Sequence, residues 1–159
     1  MRKIIREILA LIAVVLLAPN VVLAQFVKIT PLGSHAGELC QNDRALLFED
    51  PTGVRILYDV ASTVAGATDP RLGDVHVVLL SHAHEDHIGD QKAAGLNAGT
   101  CARPQVVSAA PNSNTAEIAA AKNSAVVVSN DMRAFLGKKI ENIKNKTIIL
   151  KMFEKIIPI

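Results

Sequence analysis

Tryptophan is absent from this chain, and its aromatic rings amount to one Tyr and four Phe. No basic patch with interleaved aromatics occurs, and the net charge is only +2 with His neutral, so no nucleic acid partner is evident. Charged residues are scarce as well, at 20% against 50% hydrophobic. That balance excludes a disordered chain, and 159 residues fit one globular domain of ordinary size.

A long uninterrupted apolar run is also missing. The opening "MRKIIREILALIAVVLLAPNVVLAQ" carries Arg2, Lys3 and Arg6, then an apolar core from Ile8 to Leu17 that Pro19 and Asn20 interrupt. The core is short for a spanning helix. With the small-residue pattern Val22-Leu23-Ala24, residues 1–24 read as a secretory signal peptide cut after Ala24; an uncleaved anchor is the alternative. No twin-arginine pair is present and no Cys follows the cut, which argues against a lipoprotein. The mature chain is then expected to be exported, periplasmic or secreted, and to meet a membrane only through this segment before cleavage. In an oxidising compartment the two cysteines, Cys40 and Cys101, can form a disulfide. Closing a loop of about 60 residues would add roughly 4 kcal/mol on the chain-entropy model. Two buried free thiols are the alternative.

Past the cut, "FVKITPL" predicts a strand, and "SHAGELCQND" a loop or reactive edge. "RALLFED" and "VRILYD" flank the turn signal Pro51-Thr52-Gly53 and predict a hairpin. "STVAGATDPRLGD" is loop, and the apolar run "VHVVLLS" suits a strand buried on both faces. Next come a short helix beginning in "IGDQKAAG", a strand "QVVSA", a helix "AEIAAAKN" capped by Asn114-Thr115, a strand "AVVVS", and a helix "MRAFLGKKIENI" capped by Asn130 or Asp131. A hairpin followed by strand–helix alternation implies an α/β (α+β) layered fold with a mixed sheet.

The end of the chain lacks what the body is rich in. Residues 138–159 hold no Ala, Val, Gly or Arg, but six Lys and seven Ile; residues 25–137 hold five Arg, three Lys and four Ile. Three readings fit: an amphipathic Lys/Ile-rich helix, a basic segment that touches a membrane or partner, or a foreign reading frame after a break in a longer gene.

Against these absences stands one concentration. In "LLSHAHEDHIGD", His82, His84, Glu85, Asp86 and His87 crowd the end of the apolar strand. In extended backbone, residues two apart point to one side, so His82 and His84 can converge on one ion. Asp86 and His87 can serve a second. Nitrogen and oxygen donors without a thiolate suit zinc, and also iron or manganese. Ser81 has no Gly-x-Ser-x-Gly elbow around it, so it does not read as a nucleophile. His76, inside the apolar run, reads as a core or edge residue.

The run His82-Ala83-His84-Glu85-Asp86-His87, after an apolar strand and before Gly89 and Asp90, resembles the HxHxDH signature of the metallo-β-lactamase superfamily. "ILYD", ending in Asp59, resembles that family's first motif. The resemblance covers about residues 26–137 and implies the N-terminal half of an αββα sandwich. It implies two ions, likened to a di-zinc centre, with His82 and His84 on the first and Asp86 and His87 on the second. It gives Asp86 a catalytic part in holding the attacking water or hydroxide, and Asp59 an orienting one outside the ligand set. Glu85 falls where the family varies, and His35 falls where relatives place a residue lining the pocket. The family completes the site with a further His, a bridging Asp and a last His; no His follows His87 here, and Asp131 reads as a helix cap. The expectation is therefore half of the site and half of the sandwich, with one apolar sheet face uncovered.

Three functions follow as alternatives. One is a metal-dependent hydrolase acting on a small-molecule ester, lactone, thioester, amide or phosphodiester, an exported β-lactamase included. The second is a truncated, inactive remnant that binds metal weakly. The third is an interaction module whose tail docks on a membrane or a partner chain.

Overall fold

The computed structural model describes residues 26–33, 40, 44–101 and 103–156, with residues 147–156 described by backbone alone. The signal-peptide reading of 1–24 and the pocket residue His35 lie outside the described residues. In chain order the elements are β1 (Lys28–Pro31), β2 (Leu46–Glu49), β3 (Arg55–Tyr58), β4 (Val77–Leu79), α1 (Glu85–Ile88), β5 (Gln91–Ala93), β6 (Gly99–Thr100), β7 (Arg103–Pro104), β8 (Val106–Ser108), α2 (Asn114–Lys122), β9 (Ala125–Val127) and α3 (Asn130–Ile156).

The main sheet runs β1-β2-β3-β4-β9 and is mixed. β1–β2 and β2–β3 pair antiparallel, while β3–β4 and β4–β9 pair parallel. Two small ribbons, β5-β8 and β6-β7, stand apart from it. The β2–β3 hairpin closes where Pro51-Thr52-Gly53 predicts. Asp50 Oδ1 accepts the Thr52 and Val54 N–H groups, both at 2.8 Å, and the Thr52 hydroxyl at 2.7 Å. That hydroxyl first, then the Val54 N–H, holds the Asp50 carboxyl below the usual range. Gly53 takes φ +88, where a side chain is disfavoured.

Alternation along the strands divides the sheet into two unlike faces. Leu47, Leu57 and Val78 stand in register on one face. They are buried with Leu32, Val60, Val64, Leu72, Ile118 and Ala119. Ile88, Ala116, Met132 and Leu136 extend this core under α2 and α3. The opposite face consists of two rows, Ile29–Phe48–Ile56–Val77–Ala125 and Pro31–Leu46–Tyr58–Leu79–Val127. All ten residues are apolar or aromatic, none belongs to either buried cluster, and Ile29 and Val127 are each more than half exposed. β4 accordingly buries Val78 completely and leaves Val77 and Leu79 half-buried.

Three local expectations change. The helix expected from "IGDQKAAG" lies earlier and is only Glu85–Ile88, because Gly89 takes the left-handed conformation (φ +73) and ends it. Gln91–Ala93 then gives its backbone bonds to β8. The cap of α2 is Ser113, whose hydroxyl accepts the Ala116 N–H at 3.3 Å; Asn114 and Thr115 lie inside the helix, fully buried. Asp131 sits within the first turn of α3. The Ser129 side chain bonds its carboxylate and holds it below the usual range. α3 continues unbroken past Lys138, where the composition shifts. No helix among the described residues is long and apolar enough to cross a membrane.

Two tethers hold the long connections. Cys40 and Cys101 are joined as a disulfide with Cα atoms 4.9 Å apart, linking the β1–β2 connection to the β6–β7 ribbon. Asp69, buried, pairs with Arg71 at 2.6 Å, and Arg71 also donates to the carbonyls of Gly33 and Thr63. Burial opposes the Asp69 charge, but hydrogen bonds from the Arg71 side chain and the Ala65 and Arg71 backbone, and the Arg71 charge, outweigh it and hold the carboxyl below its usual range. A depressed carboxyl contributes stability that is complete above its unfolded pKa, about 3.9, and is lost as pH falls from there through the folded value. Urea unfolding measured between neutral pH and pH 3 should therefore show a stability loss that Asp69→Asn reduces. An unchanged acid slope in that variant would remove Asp69 from the account.

Candidate metal centre

Parallel neighbours β3 and β4 end side by side, and chain leaving the carboxyl ends of such strands is where α/β sheets place their sites. β3 runs into Asp59, whose N–H donates to Leu79 O at 3.0 Å and whose φ is +44. Asp is one of the few side chains that tolerate this left-handed backbone. The bend sends its carboxylate beneath the loop that leaves β4, where Asp59 is completely buried.

That carboxylate braces the cluster. Asp59 Oδ1 accepts the Ser81 N–H at 2.8 Å. Asp59 Oδ2 lies 2.8 Å from Ser81 Oγ and 2.7 Å from His87 Nδ1. Ser81 Oγ lies in turn 2.9 Å from His82 Nδ1 and 3.1 Å from His87 Nδ1. Counting hydrogens assigns the donors. A carboxylate only accepts, so Ser81 gives its single hydrogen to Asp59, and His87 donates from Nδ1. Ser81 Oγ then accepts from His82 Nδ1. Both imidazoles keep their lone pair on Nε2, the atom facing away from the brace.

The outward atoms fall into two pairs. His82 Nε2 is 3.0 Å from His84 Nδ1, and His87 Nε2 is 3.4 Å from Asp86 Oδ2. Two ligands of one tetrahedral zinc, each bonded at about 2.0–2.1 Å, stand about 3.3 Å apart. The Asp86–His87 pair matches that spacing, the His82–His84 pair is drawn in to hydrogen-bond distance and would open slightly around an ion, and the donor chemistry of both fits zinc, iron or manganese. The His82 and His87 rings lie 3.8 Å apart between centroids, so the pairs adjoin. Among the described residues, however, no three of His, Cys, Asp and Glu converge on one point. His84 and Glu85 are exposed, while His82, Asp86 and His87 are half-buried, so the centre is anchored in the core and open to solvent.

The other candidates lie elsewhere. His76 is exposed just before β4, at the end of the strand away from the cluster, and its Nδ1 accepts the Arg55 N–H at 3.0 Å. Glu85 opens α1. Asp131 is engaged by Ser129. Ser81, set aside in the sequence as a nucleophile, is the hub of the brace. The signal that could have found it is its place between the strand end and His82, opposite an Asp at the end of the neighbouring strand.

No protein-family model matches the chain. No curated protein and no solved structure matches it either.

Proposed function

We propose that this chain is an exported metal-dependent hydrolase domain of the metallo-β-lactamase type, holding zinc, or iron or manganese, in a two-ion centre. The observation that carries the reading is the brace, in which the buried Asp59 and the exposed Ser81 turn the Nε2 atoms of His82 and His87 outward. His82 and His84 would hold one ion, and Asp86 and His87 the second. Ions held there supply Lewis acidity and lower the pKa of water. Asp86 offers the carboxylate that orients the attacking water, and Asp59 fixes the ring of His87 without itself facing solvent. The substrate is a small molecule with an electrophilic carbonyl or phosphoryl centre: an ester, lactone, thioester, amide, phosphodiester or β-lactam. The αββα part of the reading is supported by the sheet's unlike faces, one under helices and one apolar, as a layer of a two-sheet sandwich requires.

A second reading, weak metal binding without catalysis, is favoured by one observation: the donors come in twos, and a catalytic zinc ordinarily has three protein ligands. A single set of measurements separates the two. The chain from Gln25 onward is stripped of metal, titrated with zinc and assayed against a panel of esters, lactones and a cephalosporin. Hydrolysis restored by zinc, abolished by chelator and lost in His82→Ala and His87→Ala supports the hydrolase. Each substitution should weaken zinc binding by more than about 100-fold, beyond the 10–100-fold typical of outer-shell partners. Bound zinc with no turnover on any substrate leaves the second reading. No zinc uptake refutes both.

A further inference from the structure

α1 is four residues long, too short to hold its shape alone, yet it carries Asp86 and His87. What holds it is the start of α2. The Thr115 hydroxyl donates to Ile88 O at 2.8 Å, and the Asn114 N–H donates to Gly89 O at 2.7 Å. The Asn114 side-chain amide donates to Val64 O at 2.9 Å, on the connection that follows Asp59. Ser113, Asn114, Thr115 and Ala116 are all fully buried. Gly89 has no Cβ, which lets Asn114 come this close: a Cβ there would stand 2.7 Å from Asn114 Cβ. One helix start thus grips both the end of α1 and the connection leaving Asp59. These two segments must keep register for Asp59 to reach His87. A helix needs only its Ser113 cap to begin, so the buried polar groups of Asn114 and Thr115 are free for this contact.

We infer that Asn114 and Thr115 are positioning residues for the Asp86–His87 donor pair, an inference that rests on the metal-centre reading above. They touch no ligand atom and act through the carbonyls of Ile88, Gly89 and Val64.

The test compares Thr115→Val, which removes the hydroxyl at nearly constant shape, with Thr115→Ser, which keeps it. In the metal-free chain the amides of His87, Ile88 and Gly89 bond within α1, to His84 O and Glu85 O, and their hydrogen exchange reports its integrity. In Thr115→Val these three amides should exchange at least about tenfold faster relative to the core amides of β3, and Thr115→Ser should restore them. Cobalt titration followed by visible absorption should show about tenfold weaker binding in Thr115→Val, again restored by Ser. A loss of overall stability alone would move core and α1 amides together and would not follow the hydroxyl. Exchange ratios and cobalt affinity equal to those of the unsubstituted chain overturn the inference. Should Thr115→Val not fold, the unsubstituted chain still decides. Coupling is reciprocal, so cobalt should slow exchange of the Asn114 amide, and an unchanged amide overturns the inference. No cobalt uptake by the unsubstituted chain overturns the metal-centre reading and, with it, the donor-pair role; exchange at α1 in the metal-free chain is independent of that result.

Discussion

Replacing Asp59 with alanine should cost about 4–7 kcal/mol of stability, loss of a buried charged partner plus backbone strain, and remove measurable metal binding. The carboxylate is completely buried and engaged by the Ser81 N–H, the Ser81 hydroxyl and His87. Hydrogen bonds to a charged group are worth about 1.5–3 kcal/mol each, partly offset here because the exposed Ser81 can turn to water. Alanine at φ +44 adds about 1–2 kcal/mol of backbone strain. Asp59→Asn separates bracing from stability. Asn tolerates the same backbone, and its oxygen can still accept the Ser81 N–H. The amide nitrogen that replaces Oδ2 can only donate, so it must meet His87 Nδ1 as an acceptor. The ring proton then moves to Nε2, the atom proposed to face the ion. Stability should fall by only about 1 kcal/mol, while cobalt affinity falls about 10–100-fold. Urea melts and cobalt titration of the two variants supply the comparison. An Asn variant that binds cobalt as the parent does would show that Asp59 does not set the His87 tautomer.

How much of this was legible in the sequence depends on how local each determinant is. The hairpin was legible because Asp50, Thr52 and Gly53 make their turn within five residues. The strands before and after it were legible from apolar runs, and the donor cluster from its spacing at a strand end. α1 is not legible in the sequence because it has no periodic pattern: one left-handed Gly89 ends it after a single turn. Asn114 and Thr115 look like caps because short polar side chains usually serve their own backbone at a helix start. Here they serve carbonyls 27 and 50 residues away, which no local pattern reveals. The bare second sheet face is expected from the family resemblance alone, not from the strand pattern. A parallel strand reads as a continuous apolar run whether its outer face is packed or bare. The register of Ile56, Val77 and Ala125 is what exposes the row. Ser81 has no sequence mark of a nucleophile, and its bonds to Asp59 and His82 show that it orients instead.

The same close approach that permits the α1–α2 contact makes Gly89 the least replaceable glycine near the centre. A Cβ there would stand 2.4 Å from Val60 O and 2.7 Å from Asn114 Cβ, with φ at +73. Neither neighbour is a flexible side-chain end. Val60 O belongs to the backbone next to Asp59, and Asn114 is held by its bonds to Gly89 and Val64. Gly89→Ala should therefore combine about 1–2 kcal/mol of left-handed strain with about 1–3 kcal/mol of overpacking. Gly53→Ala is the control, because Gly53 has φ +88 and nothing within 4 Å of its would-be Cβ. It carries the strain of about 1–2 kcal/mol without the clash. Urea unfolding at unchanged m-value should place Gly89→Ala lower by the overpacking difference. Cobalt affinity should drop in Gly89→Ala alone, since the displaced atoms adjoin Asp59 on one side and hold α1 on the other. Equal stability losses in the two variants would mean that the Asn114–Gly89 contact yields to a methyl group. A contact that soft could not keep Asp86 and His87 in register with the brace, so the comparison bears on the positioning role of α2 as directly as on the glycine.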